Sequence, residues 1–420
     1  MRKIARPLPR LAVWLLAAVS CAAAPSLAIA AEAGPAPWLR WMLRPTERGM
    51  LVRLPVVDTD PNRGVTVGVM PIWVLEDSSG TRIEQIHAPS LTFNKNFGVT
   101  PTYRYYLYPE KDAALLLRGS IGKYEREAMG SYDDASFLGT EHDLALRLQY
   151  AIDADPHFYG LGPDAPLNHE TNYKRDYMLA RGSWGLPLFP GSGWRAHFGD
   201  RLISERVGNG PLPGLRGFTD TFPALVSVRH QQCDELQAAL DYDSRDDRVT
   251  TRRGAFLKVY RDQSLRGALS SFNFARSGLD GRYFHLWQTP RQMVTALSLQ
   301  FEQVLGNAPF WLLPSLGGKY SLRAYGEGRY VDRSMIALNA EQRVTFYQAR
   351  VAGVSTEFEL DPFVGVGTVA DNPGRYALAY ARPVVGAALR AVARPQVVGS
   401  IDFGVGQEGL SVFMDINYSF

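Results

Sequence analysis

Apolar and polar residues alternate along most of the chain from residue 64 onward. The clearest run lies at the C-terminal end, where the apolar members are Leu410, Val412, Met414, Ile416, Tyr418 and Phe420. The stretch 335–346 has the same period, with Ile336 and Leu338 on one side and Glu341 and Arg343 on the other. A period of two predicts strands with one apolar and one polar face. In a membrane barrel the apolar face meets lipid and the polar face lines the lumen.

Counting back from the C-terminus indicates sixteen strands whose lengths suit tilted membrane-spanning segments. Their ranges are 64–76, 83–94, 98–108, 111–124, 139–152, 173–186, 193–207, 236–246, 254–262, 269–285, 293–304, 335–346, 355–368, 384–393, 397–405 and 410–420. The number is even, as bacterial barrels require. The count can change by a pair, because Pro89 weakens 83–94 and 224–230 is a further strand candidate. We therefore predict an all-β fold, a 16-stranded antiparallel transmembrane β-barrel over residues 64–420.

Residues 1–30 have the pattern of a cleaved signal peptide. A basic start at Arg2 and Lys3 precedes an apolar run over 11–24 and a small-residue site at 28–30. A lipoprotein signal ending at Cys21 is the weaker alternative, since Ala18 stands where such signals favour Leu. Residues 31–63 are Pro-rich and are predicted to be an irregular tail. Export and a single remaining Cys233 indicate a bacterial envelope protein without an internal disulfide.

The exported chain is close to neutral, with 41 basic and 42 acidic residues once the four basic residues of 1–30 are removed. This balance argues against nucleic acid as a partner. His169 lies between Asn168 and Glu170, but no nucleophile motif is nearby, so we expect no hydrolase activity. No cofactor or metal ion is expected. After the signal, no apolar run reaches the roughly 18 residues that a membrane helix needs.

The stretch 316–343 begins as a Gly- and Tyr-rich loop and ends in a strand. Its LGG, LRAY and Asn-x-Glu-x-Arg segments resemble the signature of the BamA/TamA-type outer-membrane barrels, the bacterial surface antigen superfamily. The hairpin 241–254 and the Phe-Tyr-Gly-Leu-Gly segment at 158–162 resemble further motifs of that family. Ala324 stands where the family has Gly. The resemblance places the chain in the bacterial outer membrane, in contact with its lipid.

The resemblance also implies that the long loop 305–333 is extracellular and folds back into the lumen, where Arg323 meets acids on the twelfth and thirteenth strands. The twelfth strand supplies Glu341, whereas the thirteenth has Gly365 in place of the family's acid. We predict a loop lock, the set Arg323, Tyr325, Glu341, Glu359 and Asp361. The alternative is that Arg323 is a solvated charge.

The last residues, Tyr418 and Phe420, resemble the C-terminal signal that the barrel assembly machinery recognises during biogenesis. The alternative is that these aromatic residues mark the lipid boundary of the last strand. Both interpretations expect the two side chains on the apolar, lipid-facing side of the strand.

The resemblance implies a role in inserting proteins into the outer membrane or moving them across it, through a weak seam between the first and last strands. About thirty residues before the barrel are too few for a folded POTRA domain. We therefore expect a separate periplasmic or lipoprotein partner. The alternative is a passive or ligand-specific channel, which the departures at Ala324 and Gly365 favour.

Overall fold

In this computed structural model a single 22-stranded sheet contains most of the described residues. The structure describes residues 41–78, 82–110, 112–226, 229–289, 292–351, 354–393, 396–415 and 418–420. The predicted signal peptide 1–30, the first part of the predicted tail and Ile416 lie outside the described residues. No helix in the described ranges is long and apolar enough to cross a membrane.

The strands follow the chain in antiparallel order with few exceptions. The first twelve are β1 (Leu43–Thr46), β2 (Gly49–Asp60), β3 (Gly64–Glu76), β4 (Ile83–His87), β5 (Ser90–Asn94), β6 (Gly98–Leu107), β7 (Ala113–Ile121), β8 (Arg126–Asp134), β9 (Asp143–Asp153), β10 (His157–Phe158), β11 (Thr171–Pro187) and β12 (Trp194–Asn209). The others are β13 (Arg216–Gly217), β14 (Gln231–Asp243), β15 (Gly254–Ser264), β16 (Asn273–Trp287), β17 (Met293–Asn307), β18 (Ser315–Leu316), β19 (Tyr330–Val331), β20 (Ser334–Val351), β21 (Val354–Ala370), β22 (Arg382–Ala393), β23 (Gln396–Gly406) and β24 (Gly409–Asp415).

The helical elements are short and lie in the connections between strands. Among the elements that lie wholly within the described residues, the α-helix is α1 (Phe218–Thr221), and the 3₁₀ helices are Phe137–Gly139, Leu167–His169, Pro223–Leu225, Phe310–Leu312, Pro373–Arg375 and Leu378–Tyr380. The 3₁₀ helix Pro223–Leu225 overlaps the further strand candidate 224–230. The described residues of that candidate therefore do not form a strand.

The two ends of the sheet meet, so the sheet closes into a barrel. The first long strand, β2, pairs with β3, and the last, β24, pairs with β23. On its other edge, β2 pairs with β1 at residues 49–52. Farther along that edge, Thr59 Oγ1 of β2 donates a hydrogen bond of 2.8 Å to the carbonyl oxygen of Val412 in β24. We call this junction of β2 and β24 the seam.

The period of two decides which side chains face out. In β11, Met178 and Trp184 are exposed, whereas Arg175 pairs with the fully buried Glu205 on the opposite face. The same division runs along the other long strands, and it gives the apolar outer surface and polar interior of a membrane barrel. The predicted all-β antiparallel barrel is confirmed, including a long loop inside its lumen.

The predicted strand count of sixteen is too low for the described residues. β2 lies in the stretch predicted to be an irregular tail, yet it pairs with β3 over its full length. Its Pro55 made the stretch look irregular, but an edge strand at the seam tolerates a residue without an N–H group. β8 was also missed, since its sequence REAMGSYDD has no apolar alternation. The predicted strand 83–94 is split at Ala88-Pro89 into β4 and β5.

The segment 308–333, which we call the inserted loop, connects β17 to β20 and occupies one side of the lumen. Its Leu316, Leu322 and Tyr325 are buried in one apolar cluster with Phe363 and Val384 of the barrel wall. The inserted loop also contains its own small hairpin, β18 and β19. Its position is therefore set by apolar packing as well as by the charges described next.

Candidate functional site

Six charged side chains meet inside the barrel beneath the inserted loop. We call them the lumenal charge cluster: Arg323, Glu341, Arg343, Asp361, Arg390 and Asp402. The inserted loop contributes the first, and β20 to β23 contribute the others. Each side chain is at most 3% exposed. The positive and negative charges are equal in number, which fits the high cost of an unbalanced buried charge.

Glu341 is the centre of the lumenal charge cluster. Its Oε2 accepts a hydrogen bond of 2.6 Å from Arg323 Nη1. Its Oε1 accepts bonds of 3.0 Å from Arg343 Nε and 2.8 Å from Arg390 Nη1. One carboxylate therefore binds three guanidinium groups from three different segments, so its negative charge stabilises all three buried positive charges.

Arg323 has a second acidic partner and an aromatic one. Its Nη1 lies 2.9 Å from Oδ2 of Asp402 on β23, and its guanidinium carbon lies 3.5 Å from the centre of the Phe363 ring. Such stacking suits the planar, delocalised charge of arginine. The structure thus brings Arg323 together with Glu341, but the second acid comes from β23 and not from the predicted thirteenth strand, which is β21.

The other predicted site residues have different neighbours. Asp361 pairs with Arg390 and accepts the Val344 N–H at 3.1 Å, whereas Glu359 accepts a 2.6 Å hydrogen bond from Tyr418. Neither acid contacts Arg323. The hydroxyl of Tyr325 accepts the backbone N–H of Gln407 at 3.1 Å, in the turn between β23 and β24.

Sequence reasoning missed Asp402 and Arg390, although the necessary signal was present. In the predicted strand 397–405, Ile401 and Phe403 are apolar, so Asp402 between them has the inward parity. Arg390 likewise has the inward parity, because it follows the apolar Leu389. The resemblance implies the second acid on one particular strand, whereas the period of two indicates inward residues on the later strands as well.

The inserted loop contacts both sides of the seam. Asn62 Nδ2, in the turn after β2, donates to the Glu327 carbonyl oxygen at 2.8 Å. Ser411 Oγ of β24 donates to the Ala324 carbonyl oxygen at 3.0 Å. The loop reverses at Gly317, whose φ of +125° suits glycine. It therefore bridges the first hairpin and the last strand.

A second group of polar contacts covers the inserted loop at the same end of the barrel. Arg329 Nε donates to Glu408 at 2.8 Å, and its Nη1 donates to the Ala165 carbonyl oxygen at 3.0 Å. Nearby, the pKa of Glu170 is lowered, chiefly because His157 forms a hydrogen bond to its carboxylate. Burial acts in the opposite direction and raises that pKa. These bonds join the inserted loop to the connection between β9 and β11 and to the turn beside the seam.

The C-terminal residues turn into the lumen, so the prediction that they face lipid is wrong. Tyr418 and Phe420 are 6% and 9% exposed. The guanidinium of Arg343 lies 3.7 Å from the centre of the Tyr418 ring, and its Nη2 donates to the Phe420 carbonyl oxygen at 2.8 Å. The buried arginines attract the aromatic faces, which overrides the alternation of β24.

Comparison with known proteins supports the family and the fold. The Omp85 superfamily domain matches residues 114–405. BamA from Haemophilus ducreyi lacking POTRA domains 1–3 is 15% identical with a TM-score of 0.53, covering 86% of this chain and 74% of that one. CdiB from Acinetobacter baumannii is 11% identical with a TM-score of 0.52, covering 88% of this chain and 65% of that one. At these identities the two structures show a shared fold alone. Among curated proteins no sequence matches.

Proposed function

Because this chain belongs to the Omp85 superfamily, we propose that it inserts proteins into the bacterial outer membrane, or moves them across it, together with a separate periplasmic or lipoprotein partner. In this proposal residues 1–30 are a cleaved signal that exports the chain. The lumenal charge cluster holds the inserted loop in place through Arg323, Glu341 and Asp402, as the loop lock was expected to do.

The weak pairing of β2 and β24 at the seam is the observation that supports this proposal. β23 and β24 form a continuous ladder from Ser400↔Asp415 to Gly406↔Gly409. Across the seam, by contrast, the Thr59 side chain donates a hydrogen bond to the backbone of Val412. The described residues of β2 and β24 form no backbone ladder with each other. Separating these two strands breaks few hydrogen bonds, and each unpaired strand edge can then pair with an incoming strand.

The channel alternative is less well supported, because the two sequence departures that favoured it do not open the lumen. The methyl group of Ala324 lies against Gly406, where the absence of a side chain makes room for it. A side chain at Gly365 would overlap the amide oxygen of Asn339. Asn339 itself donates to the Ser321 carbonyl oxygen of the inserted loop at 2.9 Å. A contact to the loop thus replaces the family's acid here.

A disulfide across the seam tests whether it must open. In a Cys233→Ser background, we expect Thr59→Cys with Val412→Cys to cross-link and to stop activity until a reductant is added. The control pair, Phe403→Cys with Val412→Cys, joins β23 to β24 at positions that are already paired. It should cross-link without loss of activity.

Activity is measured in the native host by depleting the chromosomal copy and quantifying outer-membrane proteins by mass spectrometry. A fall in particular barrel or secreted proteins, reversed by wild type and by the control pair, is the expected result. Normal protein levels with altered solute uptake would favour the channel instead. Full activity of the cross-linked seam pair would show that the seam stays closed.

The C-terminal signal remains a proposal, and the packing of Phe420 makes a matched test possible. Phe420 and Phe284 lie in the same buried cluster with Val294 and Ala296. Replacing either with Ala removes a buried ring and should lower the unfolding temperature in detergent. If the barrel assembly machinery reads the C-terminus, Phe420→Ala should also slow insertion in a reconstituted assembly assay, whereas Phe284→Ala should not. Equal insertion rates of the two variants would contradict the signal.

A further inference from the structure

Three arginines stand side by side on the inner wall of the barrel, away from the lumenal charge cluster. Arg181 of β11 is directly opposite Arg147 of β9 on one side and Arg201 of β12 on the other. Leu146 and Leu148, which flank Arg147, are exposed on the outer face, so Arg147 has the inward parity. We call Arg147, Arg181 and Arg201 the arginine row.

In the described residues only one member of the arginine row has a carboxylate in contact, whereas each arginine of the lumenal charge cluster has one. Arg201 Nη2 lies 2.5 Å from Oε1 of Glu235, which is fully buried. In the part of the chain that the structure describes, no carboxylate oxygen lies within 4.0 Å of Arg147 or Arg181. Like charges on directly opposed strand positions destabilise a sheet. Asp133 attracts Arg147 and Arg181 from beyond contact distance. Two members of the row therefore lack a carboxylate in contact within the described part of the chain.

The arginine row has room for a ligand. Arg147 and Arg181 are exposed, although they face inward, so the lumen beside them is open to solvent. A cavity of about 380 Å³ adjoins Arg181 and Arg201. Its wall also includes the cations Lys258 and Arg276 and the acids Asp262, Asp280 and Glu302. Asp262 attracts Arg181 only from beyond contact distance.

The chemistry of guanidinium indicates the ligand class. Each guanidinium presents a planar fork of donors that matches the oxygen atoms of a phosphate group. Directly opposed residues on neighbouring strands have Cβ atoms about 4.5–5.5 Å apart, so two forks can reach one tetrahedral anion. We propose that Arg147, Arg181 and Arg201 form a lumenal binding site for a phosphate group, carried either by free phosphate or by a lipid headgroup.

Thermal unfolding of the full chain in a non-ionic detergent tests this site. The probes are inorganic phosphate and a short-chain phosphatidic acid, titrated at an ionic strength held constant with sodium chloride. A ligand that binds only the folded state raises the unfolding temperature with its concentration. We expect both probes to stabilise the wild type, and Arg181→Gln to weaken the apparent affinity at least tenfold.

Arg206→Gln is the matched control, because Arg206 lies on the same strand but pairs with Asp176 on the outer face. It should keep the phosphate response of the wild type. Without phosphate, Arg181→Gln should unfold at the wild-type temperature or above it, since a like-charge contact is removed. If that variant does not fold, Arg147→Gln takes its place.

The outcomes separate the sources of the phosphate group. Tighter binding of phosphatidic acid supports a lipid headgroup, and equal or tighter binding of inorganic phosphate supports the free anion. An unchanged response in the Arg181 and Arg147 variants, or no response of the wild type to either probe, would overturn the proposal. The outcome is independent of protein insertion, since neither the seam nor the host assay enters the measurement.

Discussion

Glu341→Gln is expected to lower the unfolding temperature of the barrel in detergent more than any other neutralisation of an acid in the lumen. The carboxylate contacts Arg323, Arg343 and Arg390, and its side chain has no exposed surface. Glutamine keeps the shape but removes the negative charge, so the cluster is left with one uncompensated positive charge in a buried place. Breaking a buried ion pair from one side costs about 3–5 kcal/mol.

The same substitution should release the inserted loop, which protease cleavage within 308–333 would report. Glu110→Gln is the control, because Glu110 is an exposed glutamate outside the lumen. Arg323→Ala should have a similar effect, and the double variant should lose less stability than the two single losses added together, since the partners are in contact. Strict additivity, or a Glu341→Gln protein as stable as the control, would contradict a role of this pair in holding the loop.

Much of the fold can be predicted from the sequence, because lipid-facing and lumen-facing residues alternate along the strands of a membrane barrel. Every predicted strand from 236–246 to the C-terminus has a counterpart among β14 to β24. The alternation is clearest in 335–346 and 410–420. The pairing of Arg323 with Glu341 was also accessible. The resemblance implies that the loop lies in the lumen. The parity of Glu341 in its strand predicts that the Glu341 side chain points into the lumen as well.

The failures have identifiable physical causes. β2 has apolar residues on both faces and a proline, because a strand at the seam is constrained differently from one inside the sheet. β8 is polar at most positions, so alternation could not reveal it. The inward turn of Tyr418 depends on Arg343 and Glu359, which only the folded barrel brings together. Local patterns carry no information about such long-range contacts.

The charges alone do not seat the inserted loop, since its backbone also lies against the wall at Gly404 of β23. A Cβ atom at this position would overlap the Arg323 carbonyl oxygen. We therefore expect Gly404→Ala to push the loop away from β23 and to pull Arg323 from Glu341 and Asp402. The obstacle is backbone and cannot rotate aside, so the cost should match that of overpacking a core, about 1–3 kcal/mol or more.

Gly399→Ala on the same strand is the control for Gly404→Ala, because a Cβ atom there would meet nothing within 4 Å. Both substitutions leave every charge unchanged, so a difference between them isolates the close approach of the loop. Gly404→Ala should lower the unfolding temperature and expose 308–333 to protease, whereas Gly399→Ala should do neither. Combined with Arg323→Ala, Gly404→Ala should add little further loss, because the first substitution has already removed the ion pairs that hold the loop against β23. Full additivity of these two changes would mean that backbone packing and the lumenal charge cluster hold the loop independently.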